Sequence, residues 1–155
     1  MMNITVLHLD DDEHLGTVNA RRVVEKVSSP ETCLSYKGFH SVVDFFNHLN
    51  SYSKDAIEAQ RFILDHRMPM PVGVDWWPYQ GFAANEDNVG VAIAAHLFEH
   101  YKVEVANILF YSLSTEREFT SQLDTLDNLF GGRPHHVQKA DIPGLMQAIK
   151  QWAKN

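Results

Sequence analysis

The sequence holds a single cysteine, Cys33. No disulfide can form within the chain, which fits a reducing cytosol. A lone cysteine of this kind is expected to pack as a small buried hydrophobe. Basic residues are also scarce: 13 Lys and Arg against 20 Asp and Glu leave a net charge of -7. No Lys/Arg block stands out. Nucleic-acid binding needs a basic face to neutralise phosphates, so direct DNA or RNA contact is disfavoured. Long apolar runs are missing too. No segment approaches the roughly 18 consecutive apolar residues of a membrane span, so no membrane insertion is expected. The opening MMNITVLHLDDDE lacks the basic start and long apolar core of a signal peptide, and a cytoplasmic location is expected. Internal repeats and linkers are absent. The 155 residues are expected to form one domain over 1–155.

What is present is an alternation of short apolar runs and amphipathic stretches. Branched residues over 4–9 (ITVLHL) predict a strand, and the acidic Asp10-Asp11-Asp12 ends it. Apolar residues at Leu15, Val18, Val23, Val24 and Val27 predict a helix over 12–27, broken by Ser28-Ser29-Pro30. Further strands are predicted over 33–36 (closed by Tyr36), 61–64, 107–111 and 135–138. Helices are predicted over 41–49, 88–101 and 141–153, with Leu145, Ile149 and Trp152 of the last facing in. Thr115-x-x-Glu118 is a capping-box pattern, predicting a helix that runs to about 129 before Gly131-Gly132. The order is βα repeated five times. Continuous apolar strands alternating with helices argue for an α/β fold, a doubly wound five-stranded parallel sheet. Right-handed crossovers place every strand's C-terminal end on one edge, where such folds bind ligands.

That edge collects Asp10, Asp11, Asp65, Ser112 and Lys139. Three carboxylates at close quarters resist ionisation. A hard divalent cation such as Mg²⁺ relieves them, taking carboxylates, waters and phosphate oxygens. Lys139 adds a point positive charge and Ser112 a hydroxyl. A carboxylate nucleophile, a metal, an ammonium and a hydroxyl together suit phosphoryl transfer to an aspartate.

These segments, LHLDDDE, FILDHRMP, ILFYSLS and HVQKA, resemble a response-regulator receiver domain of two-component signalling over nearly the whole chain. The resemblance implies a flavodoxin-like (βα)5 receiver fold and a phosphorelay role. Asp65 is then the phosphoacceptor. Asp10 and Asp11 join it in holding Mg²⁺, with the backbone carbonyl of Arg67 as a further ligand. Ser112 contacts the phosphoryl group, and Lys139 pairs with Asp65 before transfer. Such a chain catalyses its own phosphoryl transfer from a histidine kinase or histidine phosphotransfer domain, and signals through a downstream protein target. The pattern departs at four places. Ala140 stands where proline usually follows the lysine, and His136 replaces the switch aromatic. Leu113 replaces a small residue, and Arg67 places a bulky cation near the acceptor.

Between Pro69 and Gly90 the sequence inserts an aromatic loop, about 70–89, containing Trp76, Trp77, Tyr79 and Phe82. Loops this long are often functional. One reading makes Trp76, Trp77 and Tyr79 a partner-binding surface or a lid beside Asp65; the other buries them on their own domain. The first supports an alternative function, a phosphorylation-independent binding module. Two other patterns carry less. His96-x-x-Glu99-His100 matches a zinc-peptidase motif but reads as a solvated helix face. Asp10-x-Asp12 resembles the opening motif of haloacid-dehalogenase phosphatases, but His14 occupies its fifth position and no late acidic pair follows.

Overall fold

The computed structural model describes residues 2–12, 15–71, 77–79 and 81–154, without the side chains of Leu15, Glu116 and Glu118. Five strands form one parallel sheet: β1 (Met2–Leu9), β2 (Thr32–Phe39), β3 (Arg61–Leu64), β4 (Ile108–Ser112) and β5 (His135–Gln138), in the order β2-β1-β3-β4-β5. The helices are α1 (Leu15–Val27), α2 (Val42–Asn50), α3 (Lys54–Glu58), α4 (Val89–Tyr101), α5 (Glu116–Phe130) and α6 (Ile142–Ala153). This is the predicted doubly wound arrangement with one added element. Helix α3 escaped the sequence because a single turn shows no periodicity. Its start was signalled all the same, since the Ser53 side chain accepts from the Ala56 N–H.

Strand alternation divides the interior in two. Leu7 and Leu9 of β1, Phe62 and Leu64 of β3, and Phe110 of β4 face one side with α2, α3, α4 and α5. Ile4, Val6, Ile63, Leu109 and Tyr111 face the other, against Ala20, Val23 and Val24 of α1 and Leu145, Ile149 and Trp152 of α6. Helix α4 is buried on nearly every side, from Val89 to Ala95 and at Leu97, Phe98 and Tyr101. Met70, Trp77, Tyr79 and Phe82 of the inserted segment pack against the core cluster that α4 belongs to. The Trp77 indole N–H donates to the Phe82 carbonyl at 3.0 Å, and the Tyr79 ring lies 6.0 Å from Phe130.

Several expectations are corrected. Cys33 is exposed, because it lies with Ser35 and Lys37 on the uncovered side of this edge strand. Val18 is 41% exposed, and Ala20 is buried in its place. Strand β2 runs past Tyr36 to Phe39, so Tyr36 is not a strand end. His96 is only half-buried rather than solvated, and its ring stacks on His100 at 5.0 Å. No described helix is long and apolar enough to cross a membrane.

Candidate functional site

The sheet order reverses direction between β1 and β3, and the register there aligns Leu9 with Leu64. The next residues of the two strands, Asp10 and Asp65, therefore emerge side by side. Both are buried. The Asp65 N–H donates to the Leu9 carbonyl at 3.0 Å, and the Asp10 N–H to the Phe39 carbonyl at 3.0 Å, so both backbones are fixed by the sheet. On the far side of β3, Ser112 of β4 aligns with Gln138 of β5. The Lys139 N–H then donates to the Ser112 carbonyl at 2.9 Å, and the Tyr111 hydroxyl donates to the Lys139 carbonyl at 3.0 Å.

Lys139 ties these ends together. Its Nζ lies 2.9 Å from Asp10 Oδ2, 3.3 Å from Asp65 Oδ2 and 4.0 Å from Asp12 Oδ2. The sequence predicted the Asp65 pairing; the shorter contact is to Asp10. Burial pushes Asp65 upward, and the Asp10 charge adds to this against the pull of Lys139, so its carboxyl ionises only at about 7. Burial also opposes ionisation of Asp10. There, the close His8 and Lys139 side chains and the hydrogen bond from the Asp12 N–H outweigh it and hold Asp10 below the ordinary carboxylate range. Asp11 is exposed at the rim and raised by partial burial and by Asp10. Lys139 is raised: Asp10 and Asp65 overcome the cost of burying its charge.

One carboxylate oxygen from each of Asp10, Asp11 and Asp65 lies within 4.8 Å of the others. This all-oxygen set suits a hard divalent cation. A second observation fits the same ion. Asp10 Oδ2 is buried with no hydrogen-bond donor aligned on it, its Lys139 contact being an ion pair that falls short of hydrogen-bond alignment. Asp11, Asp12, Asp65, Arg67, Leu113, Ser114 and Lys139 line a cleft of about 450 Å³ over these groups.

Ser112 is buried, with its Oγ 3.1 Å from His136 Nε2, so the two predicted switch residues already touch. Leu113 is 75% exposed and lies at the cleft's edge rather than across it. The Arg67 side chain turns away to pair with Asp87 of the insertion at 2.7 Å. The described peptide bonds are all trans, including Lys139–Ala140. Trp77 and Tyr79 are half-buried on their own core, and Trp76 lies outside the described residues.

Four features of the site were not read from the sequence. Gly16 is required by proximity: a Cβ there would meet Asp10 Oδ2 at 2.6 Å and Lys139 Cε at 3.0 Å. Asp12 adds a fourth carboxylate within reach of Lys139. His66 joins three elements, with Nδ1 2.7 Å from Ser114 Oγ, Nε2 2.7 Å from Gln122 Oε1 and its ring 3.9 Å from Phe119. His8 is buried beside Asp10. Its signal was available, since strand alternation places residue 8 on the same face as Asp10.

No protein-family model matches the sequence, and no curated protein matches it. Solved structures do match. A response regulator receiver domain from Rhodospirillum rubrum shares 14% identity at a TM-score of 0.62, covering 97% of this chain and 91% of that one. A two-component transcriptional regulator AraC from Clostridium phytofermentans shares 15% identity at a TM-score of 0.57, covering 96% and 91%. The fold of this chain is the receiver fold.

Proposed function

We propose that the chain is a response-regulator receiver. Asp65 accepts a phosphoryl group from a phosphohistidine of a histidine kinase or histidine phosphotransfer domain, and the phosphorylated chain signals by contact with a downstream protein. The observation that carries this reading is Lys139 Nζ set between two adjoining strand-end carboxylates, 2.9 Å from Asp10 and 3.3 Å from Asp65. The receiver fold supports it, because in that fold this edge is where ligands bind.

The residues divide the work. Asp65 attacks phosphorus in line: a carboxylate oxygen–phosphorus bond forms, the nitrogen–phosphorus bond breaks, and the imidazole nitrogen keeps the electron pair. Lys139 moves its charge toward the phosphoryl oxygens as negative charge develops there. Ser112 exchanges its His136 partner for a phosphoryl oxygen, which releases His136 and carries the change into the loop leading to α5. Asp10, Asp11 and Asp65, with the Arg67 carbonyl, would hold Mg²⁺. When bound, Mg²⁺ supplies the positive charge that keeps Asp65 ionised and screens the phosphoryl oxygens.

Titration with Mg²⁺ and beryllium fluoride, a phosphoryl mimic, tests this by amide NMR. Shifts at Ser112 and Lys139 that need both components are expected. No response at millimolar concentration would sink the phosphoacceptor reading and favour a binding module that works without phosphate.

A further inference from the structure

A histidine inside an apolar strand of a parallel sheet needs a reason. His8 is 1% exposed, on the side of β1 that otherwise carries Ile4 and Val6. Its Nδ1 lies 2.7 Å from the Tyr36 hydroxyl, and its Nε2 lies 3.5 Å from Asp10 Oδ2. Neither Nε2 nor Asp10 Oδ2 has an aligned hydrogen-bond partner, although both are buried. Such unpaired atoms are costly unless something else uses them.

The strand pair is built to bring Tyr36 here. Gly38 is the β2 residue opposite His8, and Tyr36 lies opposite Val6. The tyrosine hydroxyl reaches His8 by lying over Gly38, where a Cβ would stand 3.1 Å from it. Glycine within a strand is a cost, and it commonly marks a close approach. The tautomer follows from charge. A lone pair on Nε2 would face the Asp10 carboxylate, which is repulsive; an N–H there is attractive. Nε2 therefore carries the proton, and Nδ1 accepts from the Tyr36 hydroxyl.

Resting on the receiver reading, we propose that His8 is a positioning residue for Asp10: fixed by Tyr36 across Gly38, it presents an N–H to Asp10 Oδ2 and holds that carboxylate in place for the divalent cation. The need arises from Lys139. It is the nearest cation to Asp10, yet it must turn to the phosphoryl group during transfer. His8 is the partner of Asp10 that stays. The carboxylate then keeps its orientation while its ammonium neighbour moves. Groups that orient a metal ligand in this way typically change metal affinity about 10- to 100-fold when lost.

Two measurements on the full chain test this. The first is the ¹⁵N spectrum of the His8 imidazole in the metal-free protein. A protonated Nε2 and a hydrogen-bonded, unprotonated Nδ1 are expected; a protonated Nδ1 overturns the proposal. The second is calorimetric titration of Mg²⁺ into wild type, His8→Leu, His8→Gln and Tyr36→Phe, with thermal melts in EDTA to confirm folding. His8→Leu is expected to weaken Mg²⁺ binding about 10-fold or more. His8→Gln, whose amide can still donate to Asp10, is expected to restore most of the affinity. Tyr36→Phe, which frees the tautomer, is expected to fall between them. Wild-type affinity in His8→Leu or in Tyr36→Phe, or equal loss in His8→Leu and His8→Gln, overturns the role of His8 alone. Failure of wild type to bind Mg²⁺ overturns the receiver reading and this inference with it.

Discussion

Replacing the acceptor by a neutral isostere, Asp65→Asn, should stabilise the metal-free protein, and by an amount that grows with pH. The Asp65 carboxyl has an ordinary value of 3.8 and ionises in the folded chain at about 7. The folded state therefore holds this proton where the unfolded state has lost it. Its contribution is fully present below the unfolded value and is lost as pH rises through the folded one. Between 3.8 and about 7 the loss amounts to about 4 kcal/mol, at ~1.4 kcal/mol per pH unit. The side chain is 10% exposed, so solvent screening trims this to about 2–4 kcal/mol. The asparagine variant never pays this charge-burial penalty. For a chain of this size the gain corresponds to a melting temperature roughly 4–15 °C higher at pH 8. The assay is thermal melting of both proteins in EDTA from pH 4 to pH 8. The difference should be near zero at pH 4, open between pH 4 and 7, and level off above that. With millimolar Mg²⁺ it should shrink, because only wild type gains the full ligand set. A variant that melts at or below wild type at pH 8 in EDTA would refute the charge-burial reasoning.

Two glycines separate site effects from fold effects. Gly16→Ala would press a methyl group against the tips of Asp10 and Lys139, which can move; the melting temperature should change little while Mg²⁺ affinity falls, as read by calorimetry. Gly90→Ala would place a Cβ 2.2 Å from the Asp65 carbonyl, a backbone atom that the sheet holds; chemical denaturation should show a loss of about 3 kcal/mol or more. Trp77→Phe keeps the half-buried ring but removes the N–H donated to the Phe82 carbonyl; a stability loss of about 1 kcal/mol is expected, with Mg²⁺ affinity unchanged.

The parallel sheet and the strand ends at Asp10, Asp65, Ser112 and Lys139 were legible because four of the strands are short apolar runs closed by a polar residue; β2 instead runs past Tyr36 to Phe39. Parallel pairing then brings those residues to one edge. Local propensity carries no such information for α3, where one turn with a single buried residue, Ile57, leaves no period to detect. Cys33 was misplaced for a different reason. Cysteine chemistry favours burial, but β2 is an edge strand whose alternate residues face solvent. Gly16 and Gly38 matter only through what stands opposite them, and a sequence names no opposites. His8 is intermediate. Alternation put it on the Asp10 face, but its partner Tyr36 lies 28 residues away and became its neighbour only through strand pairing. The aromatic insertion was visible as an insertion; that Trp77 and Tyr79 pack against the core, with Tyr79 beside Phe130 of α5, required the fold.

The most direct measurement is phosphoryl labelling by a small-molecule phosphodonor, with the modified residue located by peptide mass spectrometry. Mg²⁺-dependent phosphate on Asp65, absent from Asp65→Asn and from protein held in EDTA, is the predicted result. Equal labelling of wild type and Asp65→Asn, or labelling that ignores Mg²⁺, would contradict it.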